Sequence, residues 1–166
     1  MARSTSPRIK KRAQYGGTVT TLLLLALAEG LIDATVQTRM SPDKTPGGFL
    51  ARSAKDSLAS AGSSYMACPV LETYNRIPKE INEKLGMVAM PCQVLALSKM
   101  KAQPPQNRFN INNVQLTIGL FCTWALSADG FHKFLKEKID LPKTTKFDIP
   151  PPPANRFDAY LPSGVV

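Results

Sequence analysis

Two short apolar runs in this chain stop at a cysteine, and helical periodicity follows each of them. Residues 87–90 (MVAM) run into Pro91-Cys92, and residues 114–121 (VQLTIGLF) run into Cys122. The helices expected next cover residues 93–102, with Val94, Leu95, Leu97 and Met100 as candidate buried positions, and residues 127–138, with Phe131, Phe134 and Leu135 on one face. Ser127 supplies a capping signal for the second. Upstream the same alternation holds. Gly16-Gly17 feeds a helix capped at or near Thr18 and ended by Gly30, and residues 32–38 alternate as a strand. Residues 41–48 read as a proline–glycine loop, residues 49–52 as a short strand, and residues 54–61 as a helix closed by Gly62. Residues 72–85 read as one helix interrupted near Pro78, and residues 114–121 as the clearest buried strand. This order favours an α/β fold with a mostly parallel sheet flanked by helices. Ligands of open α/β sheets collect beyond the carboxyl ends of the strands, so Cys92 and Cys122 belong on one edge.

The last residues differ in character. Residues 147–149 (FDI) precede four consecutive prolines, Pro150 to Pro153, and residues 157–161 begin a hairpin that is just returning at Val166. The run of prolines reads as a rigid spacer in preference to a ligand for an SH3-like partner. A domain rarely stops on a half-returned hairpin, so the sequence reads as truncated. The division expected is a basic flexible arm over 1–12, an α/β domain over 13–146, and a proline-rich linker with the start of a C-terminal region over 147–166.

Charge and cysteine content narrow the function. The 166 residues carry a net charge of +9, and Arg3, Arg8, Lys10, Lys11 and Arg12 open the chain with no acid among them. Such an arm can dock on nucleic acid or anionic lipid, but a solvated terminus is the plainer reading. No aromatic-and-basic pattern of an RNA-binding module accompanies it, so nucleic acid is not the expected partner. The longest apolar run, residues 22–27, is far short of the roughly 20 residues that span a bilayer. No membrane span and no signal peptide are expected, and the chain reads as cytoplasmic. Three widely spaced cysteines, Cys68, Cys92 and Cys122, make no disulfide framework, and there is no CxxC. A single histidine, His132, argues against a hydrolase triad and reads as a surface residue. Cys68 has no motif partner, and Trp124 reads as core packing.

Four segments carry a resemblance: residues 13–20 (AQYGGTVT), 61–65 (AGSSY), 91–97 (PCQVLAL) and 118–124 (IGLFCTW). In this order and spacing the chain resembles the coenzyme F-420 hydrogenase/dehydrogenase beta-subunit family, which includes formate dehydrogenase beta subunits and a plant chlorophyll-cycle reductase. The resemblance implies an electron-transfer flavoprotein with FAD and a 4Fe–4S cluster. It implies cofactor contacts at Gln14, Gly16, Gly17, Thr18, Tyr65, Pro91 and Gln93, and cluster ligation by Cys92 and Cys122. The other two cluster ligands would come from a segment this sequence lacks, since four thiolates are normally needed. The implied partners are a deazaflavin (coenzyme F-420) or similar two-electron carrier and a catalytic hydrogenase, formate dehydrogenase or disulfide reductase subunit. Glycines let a backbone approach a ligand, and a helix N-terminus offers free N–H groups to phosphate, which suits Gly16 to Thr18. Read without the family, the same residues stay open: Gly16-Gly17 as a tight turn, the cysteines as small buried hydrophobes, Tyr65 as a packed loop residue. This sequence also departs from the family pattern, with Ala89-Met90 where Gly-Thr is common and Ser64 where lysine is common before the tyrosine. The competing functions are a non-catalytic scaffold with a nucleic-acid-docking arm and a thiol redox enzyme, the latter disfavoured by the absence of a nearby base.

Overall fold

The computed structural model describes residues 2–78, 80–104, 111–122, 126–150, 153 and 156–166. Trp124 and two prolines of the spacer, Pro151 and Pro152, lie outside them.

Helix α1 (Pro7–Arg12) and helix α2 (Thr18–Ala28) come first, followed by strands β1 (Ala34–Met40) and β2 (Pro46–Ala51). Helices α3 (Ala54–Ala59) and α4 (Val70–Asn75) lead to β3 (Leu85–Ala89), α5 (Pro91–Ala102) and β4 (Val114–Gly119). The chain closes with α6 (Ala128–Lys136) and strands β5 (Lys146–Asp148), β6 (Asp158–Leu161) and β7 (Gly164–Val165). The main sheet has the order β2-β1-β3-β4. Strands β1, β3 and β4 run parallel, with Val36 beside Met87 and Met87 beside Thr117, while β2 is antiparallel to β1. The mostly parallel α/β reading therefore holds. The C-terminal hairpin reading holds too, extended to a three-stranded antiparallel sheet, β5-β6-β7.

Both faces of the main sheet are covered, which is why central strand β3 is apolar and buried on successive residues, while the buried Thr35 and Gln37 of β1 bond to each other. Leu23 and Ala26 of α2 pack with Ile32 and Val88 on one face. Val70 and Tyr74 of α4 and Leu97 of α5 pack with Val36, Leu85, Met87 and Val114 on the other. A second core joins α6 to the C-terminal sheet through Phe131, Leu135, Met66 and Phe147. There the ring of Phe131 meets those of Phe147 and Phe157 edge-on, at 5.5 and 5.2 Å between centroids.

Several elements differ from the sequence reading. The helix expected over 72–85 is only α4, which stops at Asn75, two residues before the Ile77-Pro78 pair; a residue before proline is pushed out of the helical region. Strand β2 begins at Pro46, inside the expected loop, because as the sheet's edge it tolerates proline and glycine. Strand β4 is no buried strand either. It is the opposite edge, with Gln115, Thr117 and Gly119 exposed, and it ends at Gly119. In α5 only Leu97 is fully buried, and Leu95 is 57% exposed; in α6, Phe134 is 56% exposed and turned from the core that Phe131 and Leu135 join. Helical spacing marked these positions correctly as apolar but could not choose which side meets the sheet. His132, expected at the surface, is half-buried and its Nε2 lies 3.1 Å from the carbonyl of Lys44 in the β1–β2 turn.

Candidate functional site

The residues before α2 build a cavity. Gly17 occupies the N-cap position with φ +70°, in the left-handed region, and no side chain caps the helix. The first-turn N–H groups of α2 are thus left for another acceptor, at the positive end of the helix dipole. Across this turn lies the chain's own N-terminal segment. The Ser4 N–H donates to the Gly16 carbonyl at 2.7 Å, and the Thr18 hydroxyl donates to the Ala2 carbonyl at 3.2 Å. A Cβ on Gly16 would sit 2.7 Å from the Ala2 oxygen, and one on Gly17 would sit 2.7 Å from Cγ2 of Ile9. The open, solvent-facing cavity so formed has a volume of about 680 Å³, within the usual range for small-molecule sites. Gln14, Gly16, Gly17, Thr18, Arg3 and Lys10 are among its walls, and among the described residues no acidic one is.

Gln14 and Tyr15 are held from behind by a polar network. The Gln14 amide accepts from the Ser63 N–H at 3.1 Å and donates to the Tyr65 hydroxyl at 2.9 Å and to Asp148 Oδ1 at 2.7 Å. The Tyr15 hydroxyl donates to the same carboxylate oxygen at 2.5 Å, the Tyr65 hydroxyl donates to it at 3.3 Å, and Lys146 Nζ donates to Oδ2 at 3.1 Å. The Ile149 N–H closes the set by donating to the Tyr65 hydroxyl at 2.9 Å. Burial works to raise the Asp148 carboxyl, but the hydrogen bonds from Tyr15, Gln14 and Lys146 outweigh it and hold the group below its ordinary 3.8. The Tyr15 phenol moves the other way, raised by withdrawal of its hydroxyl from water and by the adjoining carboxylate. This network fixes the cavity loop against the end of β5.

The remaining candidates gather at the carboxyl edge of the parallel strands. Pro91 opens α5, and Gln93 closes its first turn by accepting from the Met90 N–H at 3.0 Å and donating to the Cys68 carbonyl at 2.8 Å. Both ends of the Gln93 amide are therefore spent inside the fold. After β4 the Leu120 N–H still bonds the Ala89 carbonyl at 3.0 Å, which keeps the two strand ends together. Cys92 and Cys122 are both exposed there, and Cys122 Sγ lies 3.8 Å from Met90 Sδ. Cys68 is buried, and burial pushes its thiol pKa up. Among the described residues no three metal-ligating side chains come together. Two thiols are short of the four that a 4Fe–4S cluster takes, so these residues do not by themselves fit the cluster.

The structure thus sorts the nine sequence candidates into two places. Gln14, Gly16, Gly17 and Thr18 wall the cavity with Tyr65 bonded behind them, and Pro91, Cys92, Gln93 and Cys122 mark the sheet edge. The sequence reading missed Tyr15, Asp148, Arg3 and Lys10. Asp148 stood at the end of an expected strand and the two cations in an expected arm, positions whose local pattern carries no hint of a shared site.

Fold and cavity together describe an open α/β domain with a basic cavity at a helix N-terminus. The chain belongs to the coenzyme F420 hydrogenase/dehydrogenase beta-subunit family, whose N-terminal region matches residues 1–75 and whose C-terminal region matches residues 82–165. It is 34% identical over 144 residues to the coenzyme F420 hydrogenase subunit beta of Methanothermobacter thermautotrophicus, a match covering 84% of this chain and 50% of that one. It is 30% identical over 148 residues to the coenzyme F420-dependent sulfite reductase of Methanocaldococcus jannaschii, covering 82% of this chain and 24% of that protein. A chain in a solved structure of the F420-reducing NiFe hydrogenase complex from Methanosarcina barkeri superposes with a TM-score of 0.87 at 28% identity, over 99% of this chain and 57% of that chain. The chain spans about half the length of the hydrogenase beta subunits it matches. Among the described residues no helix is long and apolar enough to cross a membrane.

Proposed function

We propose that this chain is part of an electron-transfer oxidoreductase subunit that binds FAD in the cavity at the start of α2 and exchanges electrons with a deazaflavin of the F420 type. One observation carries the reading: the loop of residues 13–20, the segment with the clearest family resemblance, forms a cavity of about 680 Å³ with an uncapped helix N-terminus and, among the described residues, no acid in its walls. Such a cavity fits an anionic cofactor. When bound, FAD would supply the exchange between a two-electron carrier and one-electron acceptors. The protein's part is to orient it. The first-turn N–H groups of α2 would hold phosphate oxygens, Thr18 would hold the N-terminal segment in place through its bond to the Ala2 carbonyl, and the Asp148 network would keep Gln14 and Tyr15 in place. Cys92 and Cys122 are offered as two ligands of a cluster. The names of the relatives, a hydrogenase subunit and a sulfite reductase, support a catalytic hydrogenase-type subunit as the partner.

The test is anaerobic titration of the purified chain with FAD, followed by flavin fluorescence and visible absorption. One FAD taken up per chain, and bleached on addition of reduced coenzyme F420, is expected. A chain that stays colourless with FAD in excess overturns the flavin reading and leaves the scaffold alternative.

A further inference from the structure

The N-terminal twelve residues hold five cations that the family resemblance leaves without a role. Arg3, Arg8, Lys10, Lys11 and Arg12 are all exposed, and the first acid in the sequence is Glu29. The fold does not treat them alike. The backbone on either side of Arg3 is fastened, through the Ala2 carbonyl to Thr18 and through the Ser4 N–H to Gly16, and Ser4 is only 5% exposed. Lys10 follows Ile9, which is 5% exposed and lies where a side chain on Gly17 would have to go. Arg3 and Lys10 line the cavity; Arg8, Lys11 and Arg12 do not. Among the described residues no carboxylate pairs with either lining cation. Two anchored, unpaired cations therefore face the same space as the uncapped end of an 11-residue helix.

We propose that residues 2–12 are a strap that completes the cavity, and that Arg3 and Lys10 are the side chains that recognise a diphosphate there. The ligand's identity as FAD rests on the reading above; the diphosphate class rests on the strap, the cavity and its charge. In this arrangement Gly16 and Gly17 serve the strap first. They leave room for Ala2 and Ile9, and the packed strap delivers its cations to the helix end. Charge-assisted contacts of this kind are short and strong when the donors are held in place.

The experiment compares two double substitutions that remove the same charge, Arg3→Gln with Lys10→Gln and Arg8→Gln with Lys11→Gln, in the full chain at physiological ionic strength. Binding of inorganic pyrophosphate, FAD and riboflavin is measured by calorimetry and by flavin fluorescence. The expected result is a loss of at least about tenfold in pyrophosphate and FAD affinity for the first pair only, with riboflavin unchanged. Equal losses for both pairs would mean a diffuse field and overturn the proposal, as would pyrophosphate that binds unchanged or fails to bind the parent chain. Pyrophosphate bound through Arg3 and Lys10 with no uptake of FAD would uphold the strap and sink the flavin reading instead. Circular dichroism of each variant reports that the fold is retained, as expected for exposed side chains.

Discussion

Removing the Asp148 carboxylate tests whether the cavity loop is held from the C-terminal sheet. Its side chain is 8% exposed and accepts from Tyr15 at 2.5 Å, Gln14 at 2.7 Å, Tyr65 at 3.3 Å and Lys146 at 3.1 Å. A hydrogen bond to a charged group contributes about 1.5–3 kcal/mol, so the two short ones set the scale. Part is recovered on truncation. Gln14 keeps the Tyr65 hydroxyl and the Phe147 carbonyl, Tyr15 keeps the Ile149 carbonyl at 3.0 Å, and Lys146 is partly solvated. Asp148→Ala should therefore destabilise by about 2–3 kcal/mol. Asp148→Asn keeps one oxygen as acceptor for Tyr15 and Gln14 but turns its NH2 donor toward Lys146, which is free to move into solvent, and should cost about 1 kcal/mol. The pH dependence has a definite sign. The carboxyl is depressed in the folded state below its ordinary 3.8, so its stabilisation is complete above that value and is lost as pH falls through the lower folded-state value. The gap between the parent chain and Asp148→Asn, from urea unfolding, should be constant near neutrality and shrink below about pH 4. An Asp148→Ala chain within about 0.5 kcal/mol of the parent would refute the network, because that is the scatter of an ordinary surface substitution.

Gly17 and Gly30 both have positive φ, +70° and +67°, but only Gly17 has a neighbour in the way of a Cβ. Gly30→Ala should cost about 1 kcal/mol of backbone strain, and Gly17→Ala about 2–3 kcal/mol because Ile9 must also shift; equal losses in thermal unfolding would show that the strap is not packed as described. The thiols offer a separate check. Cys92 and Cys122 should react rapidly with an aromatic disulfide reagent in the native chain and Cys68 only on denaturation, so three fast thiols would contradict the burial of Cys68.

What the sequence revealed depended on how local the cause was. The parallel sheet was legible because the runs at 87–90 and 114–121, observed as β3 and β4 over 85–89 and 114–119, alternate with helices and need no distant partner to be apolar. The role of β2 was not, since Pro46-Gly47-Gly48 has loop composition and only its pairing with β1 makes it a strand. The length of α4 was overestimated because apolar spacing continues past Pro78 while the backbone cannot. The exposure of β4 follows from its place at the edge, which is a property of strand order and not of its residues. At the site, residues 14–18 were marked by their own glycines, whereas Asp148 reaches Gln14 across 134 positions and nothing near either residue announces the bond.

The glycine pair shows why local and tertiary readings had to be combined. As a sequence, Gly16-Gly17 admits either a plain tight turn or a backbone laid open to a cofactor. In the fold, the space above each glycine is occupied by the protein itself, by the Ala2 carbonyl and the Ile9 side chain. The open space lies beside them, between the strap and the first turn of α2. A substitution there would act on ligand binding by displacing the strap, even if the new side chain never touched the ligand. That separates two kinds of residue: Gly16 and Gly17 shape the wall, while Arg3 and Lys10 present charge to the space. Loss of affinity in Gly17→Ala should accordingly track its loss of stability, whereas loss in Arg3→Gln with Lys10→Gln should not.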